Sequence, residues 1–206
     1  MSEEKAEALR QIHEIKNHLV DKQTFFPYNY YATYVWSAIA TILVIMIVSM
    51  YETSILQGTV VAFILITIGF TTEGFLTKRV NESYDIEDRT LRQQFIMKSF
   101  LLLSLFLIAM SAVLAAYQLY APMFIFWLFL VSMGYFSVGF VLNIKPFSMM
   151  ARFNMLAAIV LLSIGFINGT IEGTTGAYLS VVQGFVILGL TVMPAYIAWQ
   201  QIKDGK

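Results

Sequence analysis

Six apolar runs, each long enough to cross a lipid bilayer, leave this chain few ways to fold. A membrane-crossing helix needs about 20 predominantly apolar residues to span a hydrocarbon core of about 30 Å. The runs predict spans at about Ala32–Met50, Ile55–Leu76, Phe95–Tyr117, Pro122–Ile144, Ala151–Ile167 and Tyr178–Trp199. Inside lipid every backbone N–H and C=O must be satisfied within the protein, so a spanning segment of this length is a helix. Charged residues make up 13% of the chain, against roughly 25% in soluble domains, and nearly all of them lie outside the runs. The expected fold is therefore all-α: a polytopic membrane protein of six transmembrane helices, arranged as three hairpins, behind an N-terminal amphipathic helix.

The chain divides near residue 26. In residues 1–26, Leu9, Ile12, Ile15, Leu19 and Val20 recur at helical spacing between charges, which predicts an amphipathic helix and a linker. Such a helix lies on the membrane surface or docks a partner. Its acids slightly outnumber its bases, so it lacks the character of a polybasic lipid-binding segment. Residues 27–206 form the membrane domain. Tyr28, Tyr30, Tyr31, Tyr34 and Trp36 cluster at its start, as aromatic rings do at a membrane–water boundary.

Orientation follows from the basic residues. The chain has 13 Lys and Arg, and six spans place all of them on the side of the N-terminus. The opposite connections, near Glu52, Pro122 and Glu172, carry none. The positive-inside rule then predicts cytoplasmic N- and C-termini. In the Thr77–Gln94 connection, Asp85–Arg89 and Asp88–Arg92 are ion pairs at i,i+4, and the third span is expected to start early, as a projecting helix.

Chemistry-bearing motifs are scarce. The formal net charge is +0 and the cysteine count is 0, which removes a bulk argument for nucleic acid and excludes disulfides and thiolate ligands. His13 and His18 are five residues apart, not the i,i+4 of a helical metal pair. No phosphate loop, nucleophile elbow or paired catalytic carboxylate is present, so neither enzymatic activity nor a cofactor is expected.

Glu73 is the one acid well inside an expected span. Burying such a group costs several kcal/mol, which makes it a functional candidate. Two roles stay open: a structural carboxylate reaching the inner interface near Lys78 and Arg79, or a coupling or substrate role. With Asn143, Lys145, Arg152 and Asn154, these residues form a candidate polar cluster at the inner mouth. The alternative is that Lys145 and Arg152 mark the boundary and the asparagines cap helices.

Three segments share a loose pattern: Gly69–Gly74, Gly134–Gly139 and Gly189–Pro194 each place a second helix-perturbing residue five positions after a Gly. Gly69, Gly74, Gly134 and Gly139 suit close packing between helices. Pro194 is expected to bend the last span and to leave the Leu190 carbonyl without its helical donor.

From Gly134 onward the chain resembles an uncharacterised group of small six-span bacterial inner-membrane proteins. The resemblance rests on G-Y-F-S-V-G-F-V-L-N-I-K-P-F at Gly134–Phe147, the apolar span after it, and Pro194-Ala195-Tyr196. Where that group often has a glycine-rich turn, this chain has Ser148-Met149-Met150. The resemblance implies a bacterial setting, in the cell inner (plasma) membrane, and no particular activity. The leading expectation is a non-enzymatic accessory, sensor or assembly subunit acting through helix and protein contacts. Its expected partners are the lipid bilayer and another membrane or cytoplasmic protein, or a second copy of itself. The second reading is a small transporter, channel or permease subunit.

Overall fold

A computed structural model describes residues 7, 10–12, 28–83, 91–171 and 176–204, and among these there are helices and turns but no strand. The helices are α1 (Tyr30–Thr53), α2 (Ile55–Ser83), α3 (Leu91–Ala116), α4 (Tyr120–Val141), α5 (Lys145–Ile167), α6 (Ala177–Ile187) and α7 (Met193–Lys203). A π-helical turn, Leu188–Val192, joins α6 to α7. Six helices are thus long and apolar enough to span a membrane, the sixth being the continuous run Ala177–Lys203. The shortest has 22 residues, or about 33 Å at about 1.5 Å per residue, against a core of about 30 Å. The protein is a multi-pass membrane protein.

The helices run further into the connections than the apolar runs indicate. Thr77 to Ser83 continue α2, so the expected connection shrinks from its N-terminal side. The fifth span is not the shortest. It begins at Lys145 rather than near Ala151, with Pro146 in its first turn, where the missing N–H costs nothing. The fourth span stops at Val141, three residues short of Ile144. Asn143 takes a left-handed φ of 56°, Ile144 N–H bonds the Gly139 carbonyl at 2.8 Å, and Asn143 N–H bonds the Phe140 carbonyl at 3.4 Å. That is a Schellman ending, which satisfies the last carbonyls of α4. The N-terminal amphipathic helix falls mostly outside the described residues, although Glu7 and Arg10 to Ile12 are helical. The pairs Asp85–Arg89 and Asp88–Arg92, with His13 and His18, also involve positions outside those described.

One end of the bundle gathers the start of α1, the end of α2, the turn between α4 and α5, and the end of α7. Hydrogen bonds between side chains stitch this terminal face. Asn29 caps α1 by accepting from Ala32 N–H at 3.2 Å, and its amide donates to Thr77 Oγ1 at 3.2 Å. Asn81 and Gln93 exchange two amide hydrogen bonds of 3.0 and 2.8 Å between α2 and α3. Tyr30 donates to Gln201 at 3.5 Å.

Packing is closest between α4 and α5 and then between α1 and α2, while α3 touches both α2 and α4. The sixth span packs across α1, α4 and α5. So α1 to α4 and the sixth span surround a common interior, and α5 lies outside it. The half of the bundle away from the terminal face is a dense core in which Ile47, Met123, Phe124, Leu128 and Val182 are buried. A second cluster, built on Tyr135, Phe147 and Ala198, fills the terminal half.

Candidate functional site

The interior holds a cavity of about 130 Å³, lined by residues of α1 to α4 and the sixth span and by none of α5. Most of its wall is apolar. Glu73 marks its polar end, with Tyr28, Trp36, Phe100 and Tyr135 also contributing to the wall. A smaller cavity, of about 60 Å³, shares Tyr28, Glu73 and Ile96 with it and adds the more polar wall of Asn29, Thr77 and Gln93. Glu73 therefore stands between a polar recess at the terminal face and an apolar chamber at mid-bundle.

The sequence around Glu73 explains how it is held there. Gly69 and Glu73 are four residues apart on α2 and so share one helix face. The Trp36 ring of α1 lies over Gly69, where a Cβ would come within 2.7 Å of Cη2. From that seat the indole N–H donates to Glu73 Oε2 at 2.8 Å. Phe70 flanks the same ring edge-on, with centroids 5.0 Å apart. Glycine at 69 and the carboxylate at 73 thus grip one tryptophan at two points, and the hydrogen bond to a charged acceptor is of the stronger kind. Tyr28, just ahead of α1, packs edge-on against Phe147 at 5.5 Å. Burial pushes its phenol well above its ordinary value, and the Glu73 charge adds to that shift. At neutral pH Tyr28 is accordingly a neutral hydroxyl facing the Glu73 region.

Of the seven residues in the inner-mouth set, Glu73 alone lines the central cavity. Lys78 is exposed and lies 3.9 Å from Glu82, one turn on. The Arg79 guanidinium sits 4.6 Å over the Phe75 ring, and Arg152 sits 5.5 Å over Phe136. Lys145 is exposed at the start of α5, and Asn143 serves the backbone turn already described.

Asn154 does not cap a helix end. It is 1% exposed in the interior of α5, and its amide donates to the Gly189 carbonyl at 3.0 Å. The π turn explains the need. Met193 N–H bonds the Leu188 carbonyl, five residues back. In that register Gly189 would take its donor from residue 194, which is proline and has no N–H. The carbonyl orphaned by Pro194 is thus Gly189 rather than Leu190, and Asn154 supplies the missing donor from a neighbouring helix. A Cβ at Gly189 would lie 2.7 Å from Asn154 Oδ1, so the small residue is what admits the amide.

The remaining glycines act as seats for side chains more than as points of backbone approach. Phe100 of α3 lies against Gly134, where a Cβ would come within 2.7 Å of its ring. Gly139 is the backbone case, since a Cβ there would be 2.7 Å from Ser148 N in the turn into α5. Gly74 lines the smaller cavity.

Reading the sequence did not single out Trp36, Tyr28 or Tyr135 as site residues. The aromatic cluster around Trp36 was legible, but its composition matches a membrane-boundary belt equally well. Among the described residues, no group of three or more His, Cys, Asp or Glu is placed to hold a metal ion. Fold and site together define a six-span helical membrane protein with one carboxylate on an apolar internal cavity. No family model, curated protein or solved structure matches the chain.

Proposed function

We propose that this is a non-enzymatic subunit of the bacterial inner membrane, a sensor or assembly partner, with both termini in the cytoplasm. The observation that carries this reading is the dense far half of the bundle. Ile47, Met123, Phe124 and Leu128 are 0% exposed there, and most of the wall of the central cavity is apolar. A conducting path needs polar groups or water through its whole depth, whereas the polar groups of the far half are few and locked in local bonds, as where the Trp127 indole donates to Ser111 and Ser111 to the Leu107 carbonyl. The one-sided Lys and Arg supply the orientation, and the resemblance from Gly134 onward supplies the bacterial setting.

Two measurements test the proposal. Reporter fusions at Lys22, Asp85 and Lys203 are expected to read cytoplasm, and an external signal at any of them breaks the orientation. Cross-linking in native membranes is expected to trap a defined partner chain, while proteoliposomes are expected to show ion and solute flux at the protein-free baseline. Flux that disappears in Glu73→Gln would replace this reading with the transporter.

A further inference from the structure

We propose that the central cavity binds a small neutral molecule of about one ring that bears a single hydroxyl or carbonyl oxygen. This goes beyond the subunit role, which a bundle with an empty interior would serve equally well.

Size sets the first limit. At about 130 Å³ the chamber is close to the engineered apolar cavity of roughly 150 Å³ that takes up benzene. The ligand body is therefore about one ring. Ile39, Leu43, Ile66, Leu107 and Ile108 are among the side chains around it, and walls of this kind favour an apolar body.

The polar end of the chamber sets the second limit, which is charge. The groups there are already engaged. Trp36 donates to Glu73, Asn29 donates to Thr77, and Gln93 exchanges two bonds with Asn81. A charged ligand would give up its hydration to groups that are already bonded elsewhere, which is costly. A neutral one gives up far less.

Two hydroxyls on the wall are in a different position. Tyr135 of α4 is 6% exposed, and Ser104 of α3 is half-buried. Both line the chamber, and no protein hydrogen bond reaches either hydroxyl. A buried hydroxyl that meets no partner is unfavourable, and each of these can donate to a ligand oxygen. The hydrocarbon end of a lipid chain would leave both unmet, so the proposal commits to an oxygen-bearing molecule. Molecules of this class dissolve in the bilayer, and the chamber lies close to it. Ile96, Phe100 and Leu103 line both the chamber and a groove between α3 and α4, where Leu102 and Met133 are exposed.

The test uses the full-length protein carrying Trp199→Phe, in phosphatidylglycerol nanodiscs. Of the three tryptophans this leaves Trp36 and Trp127, both on the chamber wall, to report by fluorescence quenching. The probes are para-bromobenzyl alcohol and para-bromoethylbenzene, of nearly one shape, with and without the oxygen. Their bromine quenches a tryptophan at close range. For the alcohol a saturable component is expected above the linear rise that partitioning into lipid produces, an observation on the parent chamber that needs no wall variant to fold. Tyr135→Phe or Ser104→Ala is expected to weaken the alcohol about fivefold or more and to leave the hydrocarbon within about twofold. Neither substitution alters partitioning into lipid, so the difference between the probes reads the hydrogen bond alone. Ala62→Phe, which fills the chamber from α2, is expected to abolish the saturable component. Absence of that component in the parent chamber overturns the proposal. Equal effects of both substitutions on the two probes would assign the chamber to hydrocarbon, a lipid chain included, and overturn it too. None of these outcomes bears on partner cross-linking or reporter topology, so the subunit reading stands or falls separately.

Discussion

Asn154 and Glu73 are both strongly polar side chains carried into an apolar bundle, and they end in opposite circumstances. Asn154 is buried between α5 and the sixth span, and its amide meets a backbone carbonyl that the helix cannot satisfy for itself. Glu73 is half-buried on the far side of the bundle interior, held by a tryptophan and bordering two cavities. The first arrangement closes a defect in the fold. The second places the carboxylate on the walls of two cavities. The difference in local packing separates the two cases. Asn154 belongs to the structure, and Glu73 belongs to the site.

Substitutions can break either side of this contrast, and the largest expected effect is at Gly69. Gly69→Leu would drive a branched side chain into the Trp36 ring and against Ile39. Overpacking of this kind costs about 1–3 kcal/mol. The same change should pull the indole N–H off Glu73, so a shift in tryptophan emission should accompany the loss of stability. Unfolding by SDS titration in mixed micelles measures the first, and fluorescence the second. A stable variant with parental emission would show that Gly69 does not seat the tryptophan.

Next in size is the lock on the sixth span. Asn154→Leu keeps the bulk of the side chain but removes the donor and leaves Gly189 C=O buried without a partner. Unsatisfied buried groups cost about 1–3 kcal/mol, while hydrogen bonds between membrane helices average about 0.6 kcal/mol with a maximum near 1.7. A loss of about 1–2 kcal/mol is expected. Pro194→Ala restores a backbone N–H at the i+5 position, so Asn154→Leu should cost less in that background. An unchanged cost in the two backgrounds would detach Asn154 from the π turn.

The contrast also marks how far the sequence could be read. The six spans were legible because a run of about 20 apolar residues has few other uses, and the boundary at Pro146 could have been placed from the rule that proline favours a first turn. The spacing of five between Gly189 and Pro194 was visible and carries physical content, since five residues is the hydrogen-bond reach of a π turn. Its partner was not visible. Asn154 is 35 residues away and meets a main-chain carbonyl, which leaves no signature in residue type. The face that Glu73 presents was hidden for another reason. Lipid-facing and core-facing positions in these spans are both apolar, so no periodicity tells them apart. Ile64 and Phe63 are exposed on α2 while Ala62 is buried, and all three read alike. The tryptophan that donates to Glu73 comes from the neighbouring helix, 37 residues away, a pairing that sequence proximity does not suggest.

The smallest expected effect is at Glu73 itself, and it is the sharpest test of the contrast. Glu73→Gln keeps the side-chain shape and an oxygen acceptor for the Trp36 N–H, and it removes a charge whose burial is costly. The hydrogen bond weakens, because a charged acceptor is worth more than a neutral one. Desolvation is relieved in the same step. Two opposing terms of similar size should leave the folding stability within about 1 kcal/mol of the parent, less than the cost of a removed partner. Trp36→Phe removes the donor but retains most of the ring over Gly69. In the Glu73→Gln background its cost should fall further, since the bond it breaks is already weaker. SDS titration of the two single variants and the double variant gives that coupling directly. A loss of several kcal/mol for Glu73→Gln alone would make Glu73 a second structural lock like Asn154. A stability close to the parent would separate the role of this carboxylate from the fold that presents it.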